Sequence, residues 1–220
     1  LKKINPSIIF HMAAQPIIHD GYKKPHETYT INTIGTLNIL EISRNLTKIK
    51  SVVCVTSDKC YQDKFSSVGF LENDKLGGED PYSGSKASAE IIINTYIKSF
   101  FNKTKIGVAS ARAGNVIGGG DWSNNRIIPD IIKKWSKSKI LKVRNPLATR
   151  PWQFVLEPIG SYLYLGSILL KKNDKVNFQS FNIGPNKNMN KSVVDLIKVV
   201  KKSLKNLKFK FSKDKKIKEA

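Results

Sequence analysis

Residues 51–61 read Ser51-Val52-Val53-Cys54-Val55-Thr56-Ser57-Asp58-Lys59-Cys60-Tyr61. The run from Ser51 to Thr56 is short and β-branched, without polar alternation, as expected of a strand buried on both faces of a parallel sheet. It leads straight into three polar side chains, Ser57, Asp58 and Lys59. Open α/β sheets hold their ligands at the carboxyl ends of their strands. A polar strand-to-loop junction is also an ordinary structural feature, so the meaning of this one depends on the residues downstream.

About one βα unit later comes Asp80-Pro81-Tyr82-Ser83-Gly84-Ser85-Lys86. Asp is a good helix N-cap and Pro a good first helical residue, which predicts a helix from Pro81 to Phe101. Tyr82 and Lys86, at i and i+4, share one helix face. A nearby cation favours phenolate over phenol and lowers a Tyr pKa from its usual ~10, giving a base suited to a sugar or alcohol hydroxyl. Amphipathic helices often carry a Tyr and a Lys at this spacing for no chemical reason. The polar strand end upstream makes the functional reading the better one.

The rest of the chain alternates strands with helices. Strands are expected at Ser7–His11, Ile106–Arg112, Leu141–Arg144, Phe178–Ile183 and Leu207–Phe211. Helical spacing covers His26–Asn45, Ile127–Ser136, Leu156–Leu170 and Ser192–Leu204. Residues 62–79 read as loop, Ala113–Asn125 as a Gly-rich loop, and the Lys-rich tail after Phe211 as frayed. Within the helix starting at His26, Asn32 and Gly35 put an amide and a glycine where bulk would otherwise sit. Such alternation implies a parallel sheet covered on both faces.

The 220 residues are 40% hydrophobic, enough for one large domain or two small ones. No apolar run reaches the ~18 residues of a membrane span. Cys54 and Cys60 are the two cysteines, with no disulfide framework or metal-ligand spacing, which suits a cytoplasmic protein without a metal. The net charge is +21. Residues 198–220 hold ten Lys against Asp214 and Glu219, and the remaining excess is spread along the chain. Arg is scarce and no nucleic-acid-binding motif is present. The basic surface is therefore read as solvated and suited to an anionic nucleotide, not as a nucleic-acid or membrane interface.

One feature of dinucleotide-binding sheets is missing: an opening strand, Gly-rich turn and helix. Gly118, Gly119 and Gly120 come after a later strand. The chain has no starting Met and opens on what reads as a helix end. The expectation is a fragment lacking the first part of its sheet, inactive by itself.

Three stretches together carry a family resemblance. They are Thr56–Tyr61, then Ala111-Arg112-Ala113-Gly114-Asn115-Val116-Ile117-Gly118-Gly119-Gly120-Asp121-Trp122, then Arg144-Asn145-Pro146 with Arg150-Pro151-Trp152-Gln153. From about Ile8 to Asn186 the chain resembles the extended short-chain dehydrogenase/reductase family of nucleotide-sugar enzymes, and within it the CDP-glucose 4,6-dehydratases. Phe154 departs from the pattern, standing where that group is expected to have a His. The resemblance implies a Rossmann-like, doubly wound parallel sheet, here partial, with a smaller α/β substrate-binding domain whose C-terminal piece is expected to be missing. It assigns residues 1–120, with 153–184 returning, to the NAD-binding domain, and 121–152 with 185–220 to the substrate-binding part.

The resemblance also implies the chemistry. NAD would accept a hydride from C4 of CDP-glucose while Tyr82 takes the 4-hydroxyl proton. Lys86 would hold Tyr82 ionised and bond the nicotinamide ribose, with Ser57 near the same hydroxyl. Asp58 and Lys59 match the acid and base that remove water across C5 and C6. Lys59 as base, as a water-orienting group or as a stabiliser of the enolate all remain open. Ala13 and Ala14 would pack near the cofactor, and Asn32 would order the site. Asn115, Arg126 and Arg150 would approach the substrate, Arg150 at the diphosphate because a guanidinium binds phosphate oxygens in a fixed fork. A homo-oligomer and a role in deoxysugar and surface-polysaccharide (O-antigen) synthesis are implied by the same resemblance. The competing readings are a 4-epimerase, which needs no acid-base pair for elimination, a dehydratase acting on a UDP-amino sugar, and a basic nucleic-acid-binding protein.

Overall fold

The computed structural model describes residues 1–63, 69–171, 175–186 and 189–211. The first half of the chain contains β1 (Ile8–His11), α1 (Ile18–Lys23), α2 (Pro25–Tyr29), α3 (Gly35–Ser43), β2 (Ser51–Val55), α4 (Pro81–Ser99) and β3 (Gly107–Ala113). Next come β4 (Val116–Ile117), α5 (Ile127–Trp135), β5 (Leu141–Val143), β6 (Thr149–Pro151), β7 (Gln153–Phe154) and α6 (Leu156–Leu170). The last elements are β8 (Ser180–Ile183), β9 (Asn190–Ser192), α7 (Val193–Ser203) and β10 (Phe209–Phe211). Among the described residues, contacts divide the chain into a first unit of Leu1–Ala113 with Glu157–Ile183, and a second of Gly114–Leu156 with 184–211.

The first unit is built on a parallel sheet of order β1-β2-β3-β8. Alternate residues of its strands feed two separate cores. Ile9, Val52, Cys54 and Val108 pack with Leu40 of α3, Ile93 and Ile97 of α4, and Phe101. Val53, Ala109 and Ala111 pack with Tyr162, Leu165 and Leu169 of α6. The sheet is therefore covered on both faces, a Rossmann-like α/β arrangement. Each large side chain fully buried this way contributes about 1.5–3 kcal/mol. This explains why β2 reads as an unbroken apolar run: Val52, Val53 and Cys54 are all fully buried, on opposite faces.

The second unit has its own small core. Ile131 of α5 and Ile197 of α7 pack with Leu141, Val143 and Leu207. Three short pairings support it: β5 with β10 in parallel, β4 with β7 in parallel, and β6 with β9 antiparallel.

The structure departs from the sequence reading at several points. The helix expected from His26 to Asn45 is three segments, because a π-helical turn at Thr30–Ile34 separates α2 from α3. The strand expected from Phe178 begins at Ser180, and Phe178 has a left-handed backbone (φ 65) that a strand cannot contain. Helix α1 and the short strands β4, β6, β7 and β9 had no counterpart in the sequence reading. They carry too few residues to show a period. The loop after Tyr61 is tied by an antiparallel bridge between Tyr61 and Leu76. Residues 64–68 of that loop, and the Lys-rich tail beyond Phe211, lie outside the described residues.

Candidate active site

Helix α4 starts where the sequence predicts. Asp80 Oδ1 accepts hydrogen bonds from the backbone of Tyr82 (2.9 Å) and Ser83 (3.1 Å), and Oδ2 accepts from Ser83 Oγ (2.6 Å). An N-cap of this kind stabilises a helix by about 1 kcal/mol. Gly78 lies against this first turn: a Cβ there would stand 2.5 Å from Gly84 N and from the carbonyl carbon of Ser83. The buried stripe of α4 runs Tyr82, Lys86, Glu90, Ile93 and Ile97. Polar and titratable side chains thus occupy the first part of the stripe, and the apolar Ile93 and Ile97 the rest.

Tyr82 and Lys86 are 8% and 5% exposed. Burial pushes the Lys86 ammonium down to about 8, against a smaller opposing pull from Glu90 and from the Cys60 and Cys54 thiols. His11, at the end of β1, is buried beside it and lowered, first by burial and then by the Lys86 charge. His11 Nε2 lies 3.1 Å from Thr36 Oγ1, whose own proton goes to the Asn32 carbonyl at 2.7 Å. The imidazole therefore donates through Nε2, and its lowered pKa leaves it neutral at pH 7. Cys54 and Cys60 are free and buried, each thiol raised to about 12 by burial.

The polar residues after β2 form a single 3-10 turn, Asp58–Cys60. Ser57 caps it, accepting from Lys59 N (3.2 Å) and donating to Asp58 Oδ1 (3.1 Å). The turn packs against α4. Ser57, Asp58, Lys59, Tyr82 and Lys86 therefore all belong to the first unit, at a strand end and the helix beginning beside it.

Asn32 sits on the π-helical turn and is buried. Its Oδ1 accepts from Gln15 N (2.8 Å), and its Nδ2 donates to Gln15 O (3.1 Å) and Ser85 Oγ (2.9 Å). The extra residue of the turn aims this amide at α4 and at the loop after β1, and π-turns occur frequently at functional sites. Ala13 and Ala14 lie on that loop, exposed and half-buried. A cleft of about 300 Å³ lined by Gln15, Asp20, Lys23, Lys24 and Glu27 contains none of the predicted catalytic residues.

Asn115, Arg126 and Arg150 belong to the second unit. The Asn115 carbonyl accepts from Gln153 N (3.0 Å), beside the β4–β7 pair. Gly118 comes just after, and a Cβ there would meet Val155 Cγ1 at 2.7 Å, so only glycine permits this approach. Arg126 pairs with Asp121 (3.0 Å) at the start of α5. Arg150 lies opposite Lys191 in the β6–β9 pair, and its Nη1 donates to the Thr149 carbonyl (3.0 Å).

Two charged residues went unread in the sequence. Glu90 and Arg112 form a buried ion pair, Nη2 to Oε2 2.6 Å. Glu90 was legible as the next i+4 step after Tyr82 and Lys86. Arg112 lay in plain view inside a β-strand, where an unpartnered cation does not persist.

Comparison with known proteins yields consistent relatives. A family described as GDP-mannose 4,6 dehydratase matches residues 1–218. The chain is 43% identical over 190 residues to the CDP-glucose 4,6-dehydratase of Salmonella typhimurium, covering 84% of this chain and 53% of that protein. It is 25% identical over 203 residues to a UDP-glucose 4-epimerase of Mycoplasma pneumoniae, covering 84% and 57%. Among solved structures, the dTDP-glucose 4,6-dehydratase of Bacillus anthracis in complex with NAD superposes with a TM-score of 0.74 at 24% identity, covering 97% of this chain and 63% of that one. The chain spans about half the length of the curated relatives it matches.

Proposed function

Since the chain belongs to the GDP-mannose 4,6 dehydratase family, we propose that it carries the reaction centre of an NAD-dependent CDP-glucose 4,6-dehydratase, a hydro-lyase. The observation that carries this reading is the packing of the Ser57–Lys59 turn against the helix that presents buried Tyr82 and Lys86. A proton-abstracting pair and an acid-base pair then come from adjacent elements of one unit. The 43% identity to the Salmonella enzyme supports CDP-glucose over other nucleotide sugars.

Bound NAD would supply reversible uptake and return of a hydride. The residues present fit its nicotinamide-ribose end. Lys86 is a buried cation with no hydrogen-bond acceptor among the described residues, and Ala13 and Ala14 offer little bulk beside the end of β1. The sequence holds no Gly-rich turn for the pyrophosphate.

Tyr82 takes the proton of the sugar 4-hydroxyl, and Lys86 stabilises the phenolate. Ser57 hydrogen-bonds near that hydroxyl. The resulting 4-keto group acidifies C5. Asp58 protonates the departing 6-hydroxyl, and Lys59 removes the C5 proton or steadies the enolate. Asn32 orders the loop that holds Ala13 and Ala14. From the second unit, Asn115 and Arg126 contact the substrate and Arg150 its diphosphate. The free, buried cysteines favour a reducing cytoplasm. Assembly as a homo-oligomer and supply of deoxysugars to surface polysaccharide such as O-antigen complete the reading.

The test is incubation of the full-length protein with CDP-, dTDP-, UDP- and GDP-glucose. The expected result is a 4-keto-6-deoxy product from CDP-glucose with no net reduced cofactor. Preference for another base, or formation of CDP-galactose by epimerisation, would overturn it.

A further inference from the structure

We propose that Glu90, locked by Arg112, is a positioning residue for this reaction. Its carboxylate holds the Ser57–Lys59 turn against the face of α4 that carries Tyr82 and Lys86, and supplies the counter-charge of Lys86. The proposal rests on the dehydratase reading above.

Both ends of the turn are attached to the one charge pair. Upstream, Thr56 Oγ1 donates to Glu90 Oε1, and Thr56 directly precedes Ser57. Downstream, Arg112 Nη1 donates to Tyr61 OH (2.8 Å), and Tyr61 is the residue directly after Cys60. Tyr61 is held further by its bond to Asn182 Oδ1 (2.6 Å) and by stacking on Phe70 at 4.7 Å. Glu90 Oε2 also accepts from Ser110 Oγ (2.9 Å) and Ser180 Oγ (3.3 Å). One carboxylate thus joins α4 to the end of β2 and to β3 and β8.

Stability does not explain this arrangement. A buried ion pair is often no better than well-packed apolar residues of the same volume, because desolvation offsets the attraction. A directed network does what an apolar contact cannot: it fixes the orientation of the turn. Misplacing a reacting group by about 1 Å can cost on the order of 100-fold in rate.

The same carboxylate sets the charge at Lys86. The titratable groups around Lys86 are Glu90 one turn along α4, Cys54 from β2 and Cys60 from the turn, with His11 of β1 beside it and Tyr82 one turn back on α4. Both thiols are raised to about 12 and the imidazole is lowered, so all three are neutral at pH 7. Glu90 is the largest of the contributions that oppose the lowering of Lys86 by burial.

The test uses the full-length protein and two variants. In cofactor-free Glu90→Gln, the Lys86 side chain is titrated by NMR through its 13Cε shift, assigned by its loss in Lys86→Arg. The midpoint should fall below that of the wild type, and the alkaline limb of the kcat profile should move the same way. Thr56→Val keeps the shape and Glu90's charge but cuts the upstream link. It should lower kcat about 10–100-fold with little change in KM, while circular dichroism stays as in the wild type and the protein remains folded at the assay temperature despite a lower melting point from the unpaired Glu90 Oε1. An unchanged Lys86 midpoint in Glu90→Gln, or full kcat in Thr56→Val, overturns the proposal. If Glu90→Gln does not fold, Thr56→Val decides alone. If the wild type acts on no nucleotide sugar, the dehydratase reading fails, and the Lys86 titration decides this proposal by itself.

Discussion

Lys86→Met should stabilise the cofactor-free protein while abolishing catalysis. Methionine keeps much of the length of the side chain and removes the ammonium. The Lys86 pKa falls from 10.5 to about 8 on folding, mainly by burial. At about 1.4 kcal/mol per pH unit, the gap is worth about 3 kcal/mol. The sign comes from proton counting. Between pH 8 and 10.5 the unfolded chain holds the Lys86 proton and the folded one has released it, so wild-type stability rises with pH across that window. The penalty is present in full below pH 8 and gone above 10.5. The variant should therefore exceed the wild type by about 3 kcal/mol near pH 7 and lose that advantage as the pH approaches 10.5. Urea unfolding monitored by circular dichroism, repeated across this range for both proteins, measures the difference. A difference that stays flat with pH would mean that Lys86 is solvated and that its burial is not what tunes it.

The geometry sets three further outcomes. Tyr82→Phe keeps the ring and removes the proton acceptor, and should slow single-turnover reduction of the cofactor by ~10²–10⁴-fold; an unchanged rate would remove Tyr82 as base. Asp58→Asn should leave oxidation at C4 intact and stall before loss of the 6-hydroxyl, so rapid mixing with CDP-glucose should show reduced cofactor accumulating while water loss lags. Gly78→Ala forces a Cβ to 2.5 Å from the backbone of Ser83 and Gly84, and should cost about 1–3 kcal/mol in urea unfolding, with Ser substituted at the exposed Gly119 as a neutral control.

The parts of the fold that sequence reveals are those where one residue's role is set locally or by a simple period. The Asp80-Pro81 start of α4 is chemistry between neighbours, and Asp80 makes those bonds. The unbroken apolar run of β2 mirrors burial on both faces. The π-helical turn is different. Residues 26–43 have unremarkable helical spacing, and the extra residue is held by the bonds of Asn32 to Gln15 and Ser85, the latter 53 positions away. No local pattern announces it. Phe178 is similar: its apolar character suits a strand, but its backbone is left-handed. At the candidate site, the polar turn and the Tyr–Lys pair are each ordinary alone and stand out because one follows the other about one βα unit later. Glu90 and Arg112 went unread although the i+4 step and the strand position each left a signal, because nothing local says that the two meet, 22 positions apart.

The order β1-β2-β3-β8 also bears on how the chain is made. Strand β3 pairs on one side with β2 and on the other with β8, and the partners Ser110 and Ser180 are 70 positions apart. The whole stretch of Gly114–Leu156 lies between them. On a ribosome adding about 5–20 residues per second, β3 waits several seconds for its second neighbour. Throughout that interval one side of β3 presents unpaired backbone, and the face later covered by Tyr162, Leu165 and Leu169 is bare. An open apolar strand edge is a template for pairing with other chains. The nascent protein should therefore need chaperone protection most between the emergence of Ala113 and that of Ile183, and ribosome-bound chains halted in that interval should be the most prone to aggregate.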